Sequence, residues 1–323
     1  MAKQVRRIKP DKRSTGTKRT LAAVDDRVPD PVEEDVPAPD APTAPVADLL
    51  RVRSGTVQLD NDDPRATPGF DGDKAEAKKA LPVLGARLAD LQERLFANGR
   101  LGDQRRVLLV LQGMDTSGKG GTVRHVVGSA DPGGLLIKTF RAPSAEERSH
   151  DFLWRIRQAL PGPGMIGVFD RSHYEDVLIA RVKDLVERRV WARRYATINR
   201  FEERLVDSGC VLVKVMLHIS PEEQRARLLA RLDDPTKYWK YNPGDIAERA
   251  LWPRYQEAYE AALEKCSTAA APWYVVPADR KWYRNWAVSQ LLVERLEAMD
   301  LQWPAPEYDV DVERARVLAS DPT

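Results

Sequence analysis

The sequence predicts an α/β fold: a mainly parallel sheet with helices on both faces and a helical lid. Three observations carry this. Short apolar runs that read as strands alternate with helical stretches, the pattern of a parallel sheet covered on both sides. The run at 107–111 leads into Gly113-Met114-Asp115-Thr116-Ser117-Gly118-Lys119, the GxxxxGK spacing of a phosphate loop, and a helical stretch opens at Thr122. A later run, 165–170, is apolar and ends in Asp170. In that form a buried strand delivers a carboxylate to the mouth of such a loop.

In chain order, residues 1–20 carry eight Lys/Arg and one acid, and 21–50 reverse this with eight Asp/Glu, six Pro and a single Arg. Neither part has a hydrophobic period, so 1–47 is expected to be a disordered, solvated tail that can fold back on its acidic half, with weak polyanion binding by the basic half as the alternative. Residues 48–73 read as an irregular lead-in. From 74 to 98 Ala80, Leu81, Leu84, Leu88, Leu91 and Leu95 recur at helical spacing, and Gly99 suits the cap. After the first strand and its loop, 135–140 is a second strand. Ser144 and Glu147 form a capping box for a helix running to Leu160, where PGPG stops it. The third strand follows. Helices are expected at 173–186, 189–208, 221–232, 245–266 and 279–299, strands at 211–219 and 273–277, and an extended tail over 301–323.

The loop carries the chemistry. Gly113, Ser117, Gly118, Gly120 and Gly121 are small enough for backbone N–H groups to converge on a phosphate chain, and Lys119 adds a full charge. The hydroxyl residue that usually follows the lysine and holds Mg²⁺ is replaced by Gly120, while Asp115 puts a carboxylate inside the anion site. Negative charge beside bound phosphates is repulsive unless a cation lies between them. Asp115, with Asp170, is therefore expected to hold Mg²⁺. Arg171 follows the acid at the ligand side of the sheet and is expected to contact phosphate. Between the fourth and fifth strands lies RARLLARLDDPTKYWK, with Arg227, Arg231, Lys237 and Lys240 placed as a lid's cations are, to close over a transferring phosphoryl group. Its Tyr238, Trp239 and Tyr241 either stack on a nucleobase or pack the lid. The run from Asp279 to Trp286 reads as the start of the last helix, packing under the sheet. The four histidines show no ligand spacing.

A net charge of +2 over 323 residues offers no general attraction for nucleic acid. Cys210 and Cys266 match no metal spacing and suit a reducing compartment. No apolar run is long enough to span a membrane. The expectation is a cytoplasmic protein.

GMDTSGKGG, FDRSHYEDVL, RLDDPTKYWK and APWYVVPADRKWYRN together resemble the polyphosphate kinase 2 family over about residues 50–304. The resemblance implies a thymidylate-kinase-like P-loop fold, Mg²⁺ dependence, a homo-oligomer, and phosphoryl transfer between inorganic polyphosphate and nucleotides (AMP, ADP, ATP). It makes Asp115 and Asp170 the two catalytic carboxylates, which bind Mg²⁺ and orient the acceptor phosphate. Lys119 and Arg171 become phosphate-binding cations, and Arg231 the lid arginine. SHYEDVL, with Glu175, resembles the subgroup that accepts both nucleoside mono- and diphosphates. Glu175 is then either the carboxylate that orients the shorter acceptor or a helix N-terminal acid favoured by the dipole. The tail is outside the family pattern. Two other readings of the same residues stand beside this one: an ATP-dependent kinase of a small metabolite or nucleotide, and a non-catalytic polyanion-binding protein.

Overall fold

The computed structural model describes residues 44–53 and 55–320. The elements in order are α1 (Val46–Leu50), α2 (Lys74–Arg100), β1 (Arg106–Gly113), α3 (Lys119–Val126), β2 (Leu135–Thr139), α4 (Ala145–Ser149), α5 (Trp154–Arg157), β3 (Ile166–Asp170), α6 (Ile179–Val182), α7 (Arg188–Asp207), β4 (Cys210–His218), α8 (Pro221–Leu232), α9 (Asp245–Ala250), α10 (Trp252–Cys266), β5 (Trp273–Pro277), α11 (Lys281–Glu297) and α12 (Val310–Ala319).

The sheet has the order β2-β3-β1-β4-β5, and every pair is parallel. β1 is central, and from Val107 onward each of its residues is buried. Apolar side chains on both faces are what a strand covered by helices needs. α2, α3 and α11 pack together, with α1 against α11, while α6, α7 and α10 form a second group. Parallel pairing brings the C-terminal ends of all five strands to one edge, where ligands bind in such sheets.

Several helices differ from the sequence expectation, each for a local reason. α2 starts on a capping box: Asp73 accepts from the N–H groups of Ala75 and Glu76, and Glu76 returns a bond to the Asp73 N–H (2.7 Å). It runs through Gly99 rather than stopping there. Gly99 is instead the point where the helix meets Gly164, with no room for a Cβ between the two backbones. The capping box at Ser144 is present, but the helix ends at Ser149, because Asp151 Oδ1 accepts from the Leu153 N–H (3.1 Å) and turns the chain before α5. The stretch 173–186 is a 3₁₀ turn, His173–Asp176, then the short α6. Ser172 Oγ captures the Tyr174 N–H (3.2 Å) and tightens that turn. The helix expected over 245–266 breaks at Leu251, where the Pro253 ring excludes the carbonyl four residues back.

At the ends, residues 46–47 are ordered, against the expectation of a tail reaching 47. Val46 is fully buried, and Glu294 accepts from the N–H groups of Val46 and Ala47 (2.9 Å each). Arg51 then bridges Tyr274 on the outer edge of β5. The expectation for 1–43 lies outside the described residues. Residues 301–323 are not extended throughout: Asp309 caps α12, none of whose residues is buried.

Candidate active site

The phosphate loop leaves β1 at Gly113 (φ 146°) and enters α3 through Gly118 (φ 106°), with Thr116 at φ 66° between them. A Cβ on Gly113 would stand 2.7 Å from Leu217 O, so the strand must end here without a side chain. Lys119 is the first residue of α3. Its Nζ is buried in the loop and donates to Gly113 O (2.8 Å) and Met114 O (3.3 Å). Burial and the neighbouring Arg171 charge lower its pKa, against the pull of Asp115, Asp170 and Glu175. Thr116 Oγ1 and Ser117 Oγ are buried without a protein partner among the described residues.

Asp170 ends β3 and pairs in register with Leu111 of β1, so it sits at the same sheet edge as Asp115. Arg171 joins the two segments. It holds a left-handed backbone (φ 65°) and donates Nη2 to Asp115 Oδ1 (2.8 Å), with Nη1 3.7 Å from Glu175. Two non-glycine residues at positive φ facing one site mark backbone held against its local preference. Burial disfavours the Arg171 charge, but the Glu175 and Asp115 carboxylates outweigh it and raise its pKa. Glu175 is itself raised by burial, against Arg171 and Lys119. Gln112 orients it: the Gln112 amide nitrogen donates to Glu175 Oε1 (3.1 Å) while its oxygen accepts from Ser172 Oγ (3.0 Å).

Behind this group lies a fully buried network. Lys214 of β4 pairs with Glu202 of α7 (2.6 Å) and donates to Tyr174 OH (2.9 Å) and Cys266 O (2.7 Å). Glu202 also accepts from Tyr174 OH (2.8 Å) and meets His173 Nε2 (3.1 Å). Burial raises the Glu202 pKa, but Lys214 and His173 outweigh it and leave it lowered. The network pins the turn that carries Glu175.

The lid cations are not gathered on the loop mouth. Arg231 donates to Lys240 O (2.9 Å) and lies 3.5 Å from Asp245; Lys237 pairs with Asp234 (2.7 Å); Lys240 stacks over Trp239. Arg227 requires correction. Rather than facing phosphate, its guanidinium is buried and donates to Thr116 O, Ser117 O, Ala278 O and Asp279 O, supporting the loop from behind. Of the loop glycines, Gly120 has open space around its Cα and Gly121 lies against Arg284.

The profile of the polyphosphate kinase 2 (PPK2) family matches residues 71–304. The chain belongs to this family. Among similar PPK2-type proteins is the AMP/ADP-polyphosphate phosphotransferase of Meiothermus ruber, 50% identical over 253 residues, which cover 78% of this chain and 93% of the relative. An ADP-polyphosphate phosphotransferase from Rhodopseudomonas palustris is 43% identical over 253 residues, 75% of this chain and 86% of the relative. The crystal structure of polyphosphate kinase 2 from Arthrobacter aurescens TC1 is 54% identical and superposes with a TM-score of 0.85, covering 88% of this chain and 99% of that one. The P-loop kinase fold read from the sequence is thereby the fold of the chain.

In this PPK2 chain several site residues carried no sequence signal. Tyr255 and Tyr259 of α10, Glu248 of α9 and Gln224 of α8 line one small cavity with Asp115, Arg171 and Glu175. Tyr255 donates to Glu248 (2.7 Å), and Gln224 donates to Asp115 O (3.0 Å). The i, i+4 spacing of Tyr255 and Tyr259 was visible, but aromatics at helical spacing ordinarily mean core packing.

Proposed function

We propose that this chain is a polyphosphate-dependent nucleotide kinase, transferring phosphoryl groups reversibly between inorganic polyphosphate and AMP or ADP, as a cytoplasmic homo-oligomer. One observation carries the mechanism: Asp115, a carboxylate inside an anion-binding loop, shares its mouth with Lys119, Asp170 and Arg171. The residues present fit Mg²⁺. Among the described residues no group of three or more His, Cys, Asp or Glu forms a cage. Two carboxylates completed by phosphate oxygens and water are what this ion usually takes. Asp115 and Asp170 would hold it, and the ion would supply positive charge between donor and acceptor phosphates.

The remaining work belongs to the chain's own groups. The loop N–H groups and the Lys119 ammonium bind phosphate oxygens. Arg171, kept charged by Glu175 and Asp115, stabilises negative charge as it spreads over the transferring group. Asp170 orients the acceptor phosphate. Arg231, with Lys237 and Lys240, adds charge when the lid closes. Catalysis is then positioning and electrostatics, with no covalent enzyme intermediate.

The direct test is incubation with Mg²⁺, polyphosphate and AMP or ADP, with ADP or ATP as the expected product. Transfer that needs ATP, and that polyphosphate neither replaces nor inhibits, would point to an ATP-dependent kinase instead. Asp115→Ala should abolish turnover while leaving the thermal midpoint near that of the parent, because the side chain is partly exposed. Adding Gly120→Ser should not rescue it, since a hydroxyl brings no charge. Substantial activity in Asp115→Ala would remove Asp115 from the metal site.

A further inference from the structure

Two cations support the phosphate loop from behind, and only one has a carboxylate partner. Arg227 pairs with Glu223 (2.7 Å). Arg284 of α11 is 3% exposed. It donates Nη1 to Ser117 O (3.3 Å), and Nε and Nη2 to Asn285 Oδ1 (3.2 and 2.7 Å). These partners are amide oxygens, and among the described residues no carboxylate lies within 4.0 Å of its guanidinium. A buried charge balanced only by amide dipoles is costly. Burial and the nearby Arg227 charge pull the guanidinium down to about 10, which still leaves it charged at neutral pH.

The loop is built around this group. A Cβ on Gly118 would overlap Arg284 Nη1, and one on Gly121 would stand 3.1 Å from Nη2. The two glycines thus admit a guanidinium against the backbone, a demand separate from phosphate approach. Peptide geometry gives the contact a direction. The C=O and N–H of a trans peptide point to opposite sides. Drawing Ser117 O toward Arg284 and Arg227 turns the Gly118 N–H away from them.

We infer that Arg284 is a positioning residue of the phosphate loop: its Nη1, aimed by the Asn285 contacts of Nε and Nη2, holds the Ser117–Gly118 peptide from beneath, and its otherwise unbalanced charge is answered by the phosphates that bind on the loop. This deepens the phosphotransferase reading and rests on it for the ligand. Part of the affinity for phosphate then comes from relieving a charge that the unliganded protein holds at a cost.

The test compares the full chain with Arg284→Met, Arg284→Lys and Asn285→Asp, by thermal unfolding and by titration with tripolyphosphate and Mg²⁺. Arg284→Met should have an unliganded midpoint equal to or above the parent's, bind tripolyphosphate on the order of tenfold more weakly, and show a smaller ligand-induced midpoint shift. Arg284→Lys keeps the charge and should bind within about threefold of the parent. Asn285→Asp places a carboxylate on the same guanidinium with one atom changed. It should raise the unliganded midpoint and weaken binding, and it decides the matter alone if the Arg284 variants do not fold. A lowered midpoint in Arg284→Met or Asn285→Asp with unchanged tripolyphosphate affinity would mean that Arg284 is only a structural tie, and would overturn the inference. So would a parent that binds neither tripolyphosphate nor ADP. A parent that binds both but transfers nothing removes the phosphotransferase reading and leaves this one standing.

Discussion

Glu175 is partly buried and Glu202 fully buried, and their surroundings push the two carboxylates in opposite directions. Glu175 lines the cavity it shares with Asp115, with Arg171 3.7 Å away and a pKa raised by burial. If it orients the shorter acceptor, Glu175→Asn should reduce the reaction with AMP at least tenfold more than that with ADP, a difference of about 1.4 kcal/mol in barrier. Parallel assays on the two nucleotides read this directly, and an equal fall would leave Glu175 as a helix-turn acid. Glu202 instead has its charge held by Lys214 and His173, so it titrates below its ordinary value of 4.5. The folded chain then binds fewer protons there than the unfolded one. Its stabilisation is complete above the unfolded pKa and is lost as pH falls through the lower folded value. Glu202→Gln leaves Lys214 without its counter-charge and should cost about 3 kcal/mol at pH 7. Urea titrations should show that gap closing in acid. A loss independent of pH would mean that the pair is held as neutral hydrogen bonds.

At the scale of elements, the sheet was legible and the helix ends were not. Apolar runs bounded by Gly, Pro and charge gave all five strands, and Trp273–Pro277 matches at both ends. Helices were misjudged where one side chain competes with the ladder, as Asp151 does after α4, or where a proline sits, as Pro253 does in α10. Within the site, Asp115, Lys119, Asp170 and Arg171 were legible because they lie on two contiguous motifs at one sheet edge. Tyr255, Tyr259 and Glu248 come from α9 and α10, outside both motifs, and Arg284 lies in a motif that reads as the start of a helix packing under the sheet. Arg227 was misread because helical spacing places a cation on a face without saying whether that face meets solvent or a rim of carbonyls. Its neighbour one turn on, Arg231, is tied to Lys240 O within the lid. That exchange is partly exposed and worth at most ~1 kcal/mol. Arg231→Ala should therefore leave the thermal midpoint within a few degrees of the parent, yet lower kcat about 100-fold or more if it meets the transferring group on closure. Activity within a few-fold of the parent would remove it from the phosphoryl site.

Across the whole molecule, the N-terminal helix α1 and the phosphate loop are both tied to α11. Glu294 accepts the first two N–H groups of α1, and Val46 and Leu50 are buried in the shared core. Glu294→Ala should cost about 1–2 kcal/mol, the usual loss for an uncapped helix start, with kcat unchanged. Thermal unfolding and a steady-state assay on the same preparation check both halves of that statement. The distances in sequence are large: Glu294 reaches back 248 residues to Val46, and Arg284 reaches back 167 to Ser117. Chains are made from the N-terminus at roughly 5–20 residues per second. A nascent chain therefore carries its phosphate loop for many seconds before the helix that braces it has left the ribosome. Over that interval the Leu88, Leu91 and Leu95 face of α2 has no α11 to cover it. Synthesis thus exposes a completed motif and an uncovered apolar face together, and only α11, made late in the chain, closes both.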